Sequence, residues 1–261
     1  MEYTFISGAT GGIGKAFAIV LASRGKNLFL TGRSQEKLQA LKDELLINNK
    51  IDIEVFACDL TDGTSRENML SYIDIKNIKF SGIFNVAGVD IQKAFTEYTN
   101  EKVLMQIRVN VEATVCLTHA LLSRRAEKIE ILTVSSMSGA TPMPYFALYS
   151  ATKAMLINFY TSLHFELKKQ NALVTVIMPG GVYTRQDIIE DIKGQGLWGK
   201  LSAMSPSRLV DKSLKALKKN KKKYIPGFFN KFLYFVIKIA PKSIVLSFIG
   251  RRWKKQSKDA F

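Results

Sequence analysis

The chain has 261 residues, 47% of them hydrophobic and two of them cysteine, and its net charge is +16. This composition supports one folded domain with a full-sized core and excludes a disulfide scaffold, so we expect a reducing, cytoplasmic setting. The charge is uneven, because residues 206–261 hold 16 Lys or Arg against Asp211 and Asp259, whereas residues 1–205 hold 22 basic and 20 acidic residues.

The chain opens on a strand–turn–helix pattern. An apolar run at 3–7 predicts the first strand, and no signal-peptide pattern precedes it. Gly8, Gly12 and Gly14 follow at once, and residues 15–22 have the composition of a helix. Gly8 permits a tight turn, Gly12 lets the backbone approach a pyrophosphate, and Gly14 allows close helix–strand packing. The pattern predicts a dinucleotide phosphate site, with a plain glycine-rich turn as the alternative.

Apolar runs then alternate with helical patterns. The runs at 27–31, 51–57, 80–86, 129–135 and 172–178 predict strands two to six, and 35–46, 61–73, 96–122 and 149–169 predict helices. Because the runs lack strict alternation, we expect strands buried on both faces of a mostly parallel, doubly wound α/β sheet. Ligands bind beyond the carboxyl ends of such strands, where six residues fall: Gly8, Arg33, Asp59, Asn85, Ser136 and Pro179.

Tyr149 and Lys153 are spaced so that one helix face carries both side chains. A phenol with an ordinary pKa near ~10 is a sluggish proton donor at neutral pH, and a neighbouring ammonium can lower that pKa. Ser136, thirteen residues upstream, could bond a substrate oxygen while Tyr149 passes a proton. The pair alone is weak evidence, since most such pairs lie on ordinary helix surface.

Together these motifs resemble the short-chain dehydrogenase/reductase family. The matching residues keep the family's order across roughly 1–190: Gly8-x-x-x-Gly12-x-Gly14, Asn85-Val-Ala-Gly88, Asn110, Ser136, Tyr149-x-x-x-Lys153 and Pro179-Gly180. The resemblance implies a single-domain Rossmann-type fold, with a dinucleotide-binding and catalytic part at 1–205 that includes a substrate lid at 185–205. Residues 206–261 would hold a last helix and strand and a basic, aromatic-rich helical tail.

The resemblance also implies hydride transfer between a nicotinamide and a carbonyl or alcohol carbon. In reduction, Tyr149 is then the general acid and Ser136 holds the same substrate oxygen. Lys153 lowers the pKa of Tyr149 and bonds the nicotinamide ribose, and Asn110 holds a water that links Lys153 to a proton relay. Asparagine is locally unfavourable inside a helix, so its presence at position 110 fits such a role. The alternative is a helix kink without a functional role.

The same resemblance assigns the cofactor. Arg33 stands where an acidic residue would select NAD, and its guanidinium suits a 2′-phosphate, so we expect NADPH to be preferred, with NAD as the alternative. Asp59 and Leu60 would contact the adenine, 85–88 would border the adenosine ribose and support the sheet centre, and 179–184 would wrap the carboxamide. The expected cofactor-binding residues are Gly8, Thr10, Gly12, Ile13, Gly14, Arg33, Asp59, Leu60, Asn85, Ala87, Gly88, Tyr149, Lys153, Pro179, Gly180, Val182 and Thr184.

The lid and the tail are rich in apolar residues. The apolar residues of the lid are typical of a mobile cover over an apolar substrate. In the tail, Lys231, Lys238 and Lys242 interrupt the apolar run too often for a membrane-spanning helix. Two interpretations stay open: a peripheral anchor on the anionic inner face of a membrane, or packing against a partner subunit or the lid. No groove-reading motif accompanies the charge, so we expect no nucleic-acid partner.

We therefore predict an NADPH-preferring reductase of a carbonyl in an apolar, acyl or lipid-like compound. The alternatives are an NAD-linked dehydrogenase of a polyol, sugar or steroid alcohol, and a non-catalytic nucleotide-binding scaffold docked on membrane, against which the intact catalytic residues argue. The family resemblance implies a homodimer or homotetramer formed through the helices at 96–122 and 149–169. The two cysteines and two histidines have no metal-ligand spacing, so we expect no metal.

Overall fold

The computed structural model describes residues 1–254, without the side chains at positions 187 and 191. Over these residues, the centre is one parallel sheet of seven strands, β1 to β7 in chain order. Their bounds are Glu2–Ser7, Asn27–Gly32, Ile53–Ala57, Lys79–Asn85, Arg125–Val134, Ala172–Ile177 and Lys223–Tyr224. The spatial order β3-β2-β1-β4-β5-β6-β7, with every pairing parallel, confirms the predicted doubly wound α/β fold.

Helices flank this sheet. In chain order, α1 to α11 are Gly12–Ala22, Gln35–Leu46, Gly63–Ile75, Asn100–Ile107, Thr114–Leu122, Ala147–Glu166, Gln186–Gly194, Gly196–Ser202, Pro206–Lys218, Phe228–Ile239 and Lys242–Trp253. Side chains fix several of the starts, because Ser34, Asp62 and Ser205 accept hydrogen bonds from the first turns of α2, α3 and α9. Such caps satisfy backbone N–H groups that have no partner within the helix.

The apolar runs lack alternation because the sheet is buried on both faces. Phe5 packs with Phe29 and Phe80 on one face, at ring-centroid distances of 5.9 and 6.1 Å. Ile6, the next residue, points to the opposite face and packs in a second core with Phe84. Each fully buried side chain of this size contributes about 1.5 to 3 kcal/mol, so the two cores together hold the central strands in place.

Two predicted bounds differ from the structure in an informative way. β5 begins at Arg125 rather than at 129, since Arg125 pairs with Phe80 of β4. The single helix predicted at 96–122 is instead α4, a π-helical turn at Arg108–Ala113, and α5. That turn contains the buried Asn110, which accepts from the Val89 N–H at 2.8 Å and donates to its carbonyl at 2.9 Å. Single π-turns of this kind are frequent at functional sites.

The C-terminal segment extends the sheet and then folds back over its carboxyl edge. α9 packs on α1 and β6, and β7 joins β6 through the pairs Val176–Lys223 and Ile177–Tyr224. α10 packs on α8 and on the 3-10 turn at Met137–Ala140. Among residues 1–254, none of the helices combines the length and the apolar character needed to cross a membrane. The last part of the predicted tail, 255–261, lies outside the described residues.

Candidate active site

A cavity of about 1070 Å³ lies at the carboxyl ends of the strands. Most of the predicted site residues are on its wall: Gly8, Thr10, Gly12, Ile13, Gly14, Arg33, Asp59, Leu60, Ala87, Gly88, Ser136, Tyr149, Lys153, Pro179, Gly180, Val182 and Thr184. Asn85 and Asn110 are not among the residues that line it. The convergence follows from the topology, because parallel strands end at one edge of a sheet.

The turn between β1 and α1 has the shape of a phosphate-binding turn. Gly8 has a φ of +65°, and a Cβ there would lie 2.9 Å from the Ala87 Cα. A Cβ on Gly14 would collide with the Gly8 carbonyl oxygen, so glycine lets α1 approach β1, and one on Gly12 would lie 2.7 Å from the Thr184 Cβ. No side chain caps α1. Its first N–H groups are therefore available to an anion, which fits a dinucleotide pyrophosphate.

Arg33 lies at the carboxyl end of β2, with an exposed side chain on the cavity wall. Among the side chains that the structure describes, it has no ion-pair partner. The nearby Asp59 carboxylate is engaged by Thr61, which donates its backbone N–H and its hydroxyl, each at 2.8 Å. A free guanidinium beside an acid that is held in its own loop fits a nucleotide with a 2′-phosphate.

The candidate catalytic side chains meet between the end of β5 and α6. The Lys153 Nζ lies 5.6 Å from the centroid of the Tyr149 ring and donates to the Val134 carbonyl at 3.1 Å. The Ser136 side chain lies close enough to the Tyr149 phenol to act on its pKa. The adjacent Ser135 hydroxyl donates to the Lys153 carbonyl at 2.8 Å, so Ser136 is the serine whose hydroxyl serves Tyr149. A phenol, a hydroxyl and an ammonium thus lie together on one part of the cavity wall.

The electrostatics of this group differ from the expectation that Lys153 lowers the pKa of Tyr149. Burial raises the pKa of Tyr149 well above its ordinary value, Asp90 raises it further, and the nearby Ser136 hydroxyl opposes both. Burial also lowers the pKa of Lys153 to about 8, against the effect of Asp90. Both groups lose their hydration in the same enclosed site, and this loss is the largest cause of each pKa shift. Tyr149 is therefore a protonated phenol at neutral pH, the form that a general acid needs.

We expect Lys153→Met to raise the free energy of unfolding at pH 7 by about 2 kcal/mol. The pKa of Lys153 is about 8 in the folded chain, against an ordinary value of 10.5, so the buried ammonium destabilises the fold below pH 8. That shift corresponds to about 3 kcal/mol, and the lost hydrogen bond to Val134 removes about 1 kcal/mol. The gain should disappear as the pH rises from 8 to 10.5, because the folded chain then holds a neutral amine.

Urea unfolding at pH 7 and pH 10 measures this difference between the variant and the wild type. Lys168→Met, which removes an exposed lysine just after α6, is the control and should show no pH-dependent gain. If Lys153→Met is instead less stable than the wild type at pH 7, the buried ammonium is not a source of destabilisation.

The structure corrects the expected contact of Asn85 with the adenosine ribose. Its side chain is buried in the layer between the sheet and the helices, where it donates to the Thr118 and Tyr160 hydroxyls, both at 2.9 Å. The amide nitrogen thus finds its partners within the protein, whereas the Oδ1 atom has no hydrogen-bond partner among the described residues. Asn85 therefore supports the centre of the sheet and does not face the cavity.

Asn110 acts from behind the cavity wall. Besides its two bonds to Val89, its amide donates to the Thr152 hydroxyl at 3.1 Å, so the side chain is fully engaged. It thereby connects the π-turn to α6 and to the loop after β4. The water expected between Asn110 and Lys153 stays a prediction.

The apolar part of the cavity is built by residues that the sequence did not assign to the site. Trp253 of α11 stacks on Phe146 at a ring-centroid distance of 5.6 Å, and Phe146 lies 4.8 Å from the Tyr149 ring. Ile249 and Met143 belong to the same cluster. The four-residue spacing of Ile249 and Trp253 predicts a shared helix face, but the sequence does not say what this face covers.

The tail helices also pack on the lid, which was one of the two open interpretations. Trp198 of α8 contacts Phe229 at 5.2 Å and Phe248 at 6.2 Å between ring centroids. The buried Asn230 donates to the Ser202 carbonyl at 2.9 Å and so fastens α10 to the end of α8. The inner faces of α10 and α11 therefore close the cavity together with the lid.

Asp90 is a further site residue that sequence reasoning missed. It lines the cavity two positions after Gly88, and its charge acts on the pKa of both Tyr149 and Lys153. The available signal was its position two residues after the Asn85-Val-Ala-Gly88 motif, in the loop that follows β4. A carboxylate here favours the neutral phenol and the charged amine.

Known proteins match both the sequence and the fold. The profile of the short chain dehydrogenase family matches residues 2–190. The inactive hydroxysteroid dehydrogenase-like protein 1 of Homo sapiens is 34% identical over 188 residues, which are 70% of this chain and 56% of that protein, so the match spans little more than half of the relative. A very-long-chain 3-oxoacyl-CoA reductase of Bos taurus is 30% identical over 224 residues, 83% of this chain and 68% of the relative.

Solved structures agree with the fold over nearly the whole chain. A 7β-hydroxysteroid dehydrogenase superposes with a TM-score of 0.84 at 25% identity and covers 95% of this chain and 96% of its own. A short-chain dehydrogenase from Sphingobium yanoikuyae in complex with NADPH gives a TM-score of 0.75 at 24% identity, over 94% of this chain and 95% of its own. The coverage includes most of the C-terminal helices, which lie beyond the region matched by the family profile.

Proposed function

We propose that this chain, which belongs to the short-chain dehydrogenase family, is an NADPH-dependent reductase that acts on a carbonyl of an apolar, acyl or lipid-like substrate. One observation carries the proposal. The half-buried Tyr149 phenol, protonated at neutral pH, lies with Ser136 and Lys153 beside the apolar cluster of Phe146 and Trp253. The 3-oxoacyl-CoA reductase activity named for the bovine relative supports a carbonyl in an acyl compound.

The chain's own residues divide the work of reduction. Ser136 holds the carbonyl oxygen through its hydroxyl, and Tyr149 donates its proton to that oxygen as charge develops there. The bound cofactor supplies the hydride that the carbonyl carbon receives. Lys153 bonds the nicotinamide ribose, and its ammonium stabilises the phenolate left on Tyr149. The buried wall around these groups keeps water from competing for the proton.

The proposed cofactor contacts follow the cavity wall. The backbone of the turn from Gly8 to Gly14 holds the pyrophosphate at the uncapped start of α1. Arg33 binds the 2′-phosphate, and Asp59 and Leu60 border the adenine. Residues 179–184 surround the carboxamide, at the point where Val182 forms a β-bridge with Met204 beside the lid.

A screen of carbonyl compounds tests the proposal. We expect NADPH oxidation with apolar ketones and 3-oxoacyl thioesters, and little oxidation of polyols or sugars with NAD, because the wall near Tyr149 is formed by aromatic and aliphatic side chains. NADPH absorbance at 340 nm measures turnover. If no apolar carbonyl is reduced while a polyol is oxidised with NAD, the NAD-linked alternative replaces the proposal.

We further propose that the tail binds peripherally to the anionic surface on the inner side of a membrane. The outer tail face, defined by Phe228, Phe232, Phe235 and Ile239 of α10, is between 53% and 88% exposed. These residues recur every three or four positions, so they form one stripe opposite the inner face that lines the cavity. Exposed lysines flank the stripe. Such a surface buries aromatic side chains at the lipid boundary and attracts anionic headgroups by about 1 kcal/mol per lysine.

Replacing Phe232 and Phe235 together by Ser should weaken binding to phosphatidylglycerol vesicles at least about tenfold, because each ring loses an apolar contact worth up to about 1.5 to 3 kcal/mol. Co-sedimentation of the full chain measures the binding, and vesicles of phosphatidylcholine alone test the need for anionic lipid. Phe165→Ser is the matched control, since Phe165 is 58% exposed but lies on α6. Equal pelleting of the double variant and the wild type with anionic vesicles contradicts the membrane proposal.

We also propose a homo-oligomer in which a second copy covers α4 and α6. Exposed apolar side chains support this contact: Leu104 and Ile107 on α4, and Met155 on α6. These helices lie beside the π-turn and the catalytic side chains, so the contact would stiffen the site. Light scattering of the purified chain, compared with that of Leu104→Glu, measures the assembly.

A further inference from the structure

The cavity contains a cation that the proposed reaction does not use. Arg252, in the last turn of α11, lies on the cavity wall, and its Nη2 atom is enclosed. That atom donates no hydrogen bond to any residue that the structure describes. An enclosed guanidinium nitrogen without an acceptor is unfavourable, since it has lost its hydrogen bonds to water and gained no hydrogen bond from the protein. A position of this kind points to an acceptor that arrives with a ligand.

Aromatic contacts hold the Arg252 guanidinium in position. Its guanidinium lies 5.4 Å from the centroid of the Trp198 ring of the lid, in cation–π geometry. The next residue, Trp253, stacks on Phe146, which in turn contacts the Tyr149 ring. Two successive ring contacts therefore separate the phenol from the helix turn that carries Arg252. The wall between them is apolar and includes Ile249.

We propose that Arg252 binds the carboxylate of the substrate, so that the physiological substrate is an apolar keto acid. This inference rests on the proposed reductase function and specifies its substrate class. The carbonyl lies at Tyr149, the apolar body lies along Phe146 and Trp253, and the carboxylate accepts from Arg252. A guanidinium in an otherwise apolar part of the wall complements a single carboxylate on an apolar substrate. A polyanionic group would need several cations around the same point, and the side chains beside Arg252, those of Trp198 and Ile249, carry no charge.

Acid–ester pairs test the proposal. The probes are oxododecanoic acids with the ketone at successive positions, each compared with its methyl ester, which has the same body and no charge. The wild type should show a kcat/KM about 10- to 100-fold higher for the best acid than for its ester, the range expected for hydrogen bonds to a charged group. In Arg252→Gln this ratio should fall close to one, and Arg252→Lys should restore part of it, since lysine keeps the charge but not the planar fork.

Arg251→Gln is the matched control. Arg251 is the neighbouring residue on the same helix, but its side chain is exposed and does not line the cavity. Its acid-to-ester ratio should equal that of the wild type. Equal reduction of acids and esters by the wild type overturns the proposal, and so does an equal loss of the ratio in Arg251→Gln. A strong preference for 3-oxoacyl-CoA thioesters that Arg252→Gln leaves intact also overturns it, since the acyl end of a thioester has no free carboxylate.

A binding measurement separates this proposal from the proposed function. Dodecanoate and dodecanol are not reducible, and their binding can be followed by the fluorescence of Trp198 and Trp253 near the cavity. Dodecanoate should bind the wild type at least about tenfold more tightly than dodecanol, and Arg252→Gln should remove the difference. If no ketone is reduced but this difference is present, the reductase function fails and the carboxylate site stands. If dodecanol binds as tightly as dodecanoate, the carboxylate site fails whatever the enzyme reduces.

Discussion

Tyr149→Phe should lower kcat at least about a thousandfold, while the affinity for NADPH stays within about twofold of the wild type. The substitution removes the hydroxyl that, in the proposed mechanism, protonates the developing alkoxide beside Ser136. The remaining ring keeps its contact with Phe146, so the cavity retains its shape. Steady-state NADPH oxidation with the best ketone measures kcat, and fluorescence titration measures cofactor binding.

Tyr160→Phe is the matched control for this prediction. Tyr160 is a buried phenol on the same helix, and its hydroxyl is bonded to Thr118 and to Asn85 rather than to the catalytic group. Its loss should reduce the free energy of unfolding by about 1 to 3 kcal/mol, because Asn85 loses a buried partner, and should leave kcat near the wild-type value. A Tyr149→Phe variant that keeps more than a tenth of the activity would remove the proposed mechanism.

Arg33→Asp should lower kcat/KM with NADPH by about 100- to 1000-fold and leave kcat/KM with NADH within about threefold. The wild-type guanidinium has no acidic partner among the described side chains, so it is free to bind a 2′-phosphate. An aspartate would repel that phosphate and could accept from the 2′-hydroxyl of NADH. Initial rates with each nucleotide at a fixed ketone concentration measure the two constants.

Arg33→Gln separates the loss of the cation from the gain of a repelling anion. Its kcat/KM with NADPH should lie between those of the wild type and Arg33→Asp, because the substitution removes the attraction for the 2′-phosphate without adding repulsion. Equal changes with NADPH and NADH in both variants would mean that Arg33 does not select the nucleotide.

The features that the sequence predicted well are those fixed by local chemistry. Gly8 needs a positive φ and Gly14 a close approach between helix and strand, and both requirements are met within a few residues along the chain. The central strands were visible because burial on both faces demands continuous apolar runs. Tyr149 and Lys153 were recognisable as a pair because one turn of helix sets their spacing.

The features that the sequence missed depend on contacts between distant segments. Asn85 was expected both to border the adenosine ribose and to support the sheet centre. Its partners Thr118 and Tyr160 come from α5 and α6 and keep its side chain inside the layer, in the supporting position. The sign of the pKa shift of Tyr149 was also misjudged. The spacing from Lys153 is a local property, whereas the burial that dominates the shift is produced by the whole fold.

The sequence by itself determined the doubly wound sheet, the glycine turn and the order of the catalytic residues, because each follows from spacing along the chain and from apolar patterning. Only the tertiary structure decided that α10 and α11 fold back to close the cavity and bring Arg252 and Trp253 to the site. The physical reason is that an amphipathic helix shows which face is apolar, but not the surface on which that face will be buried.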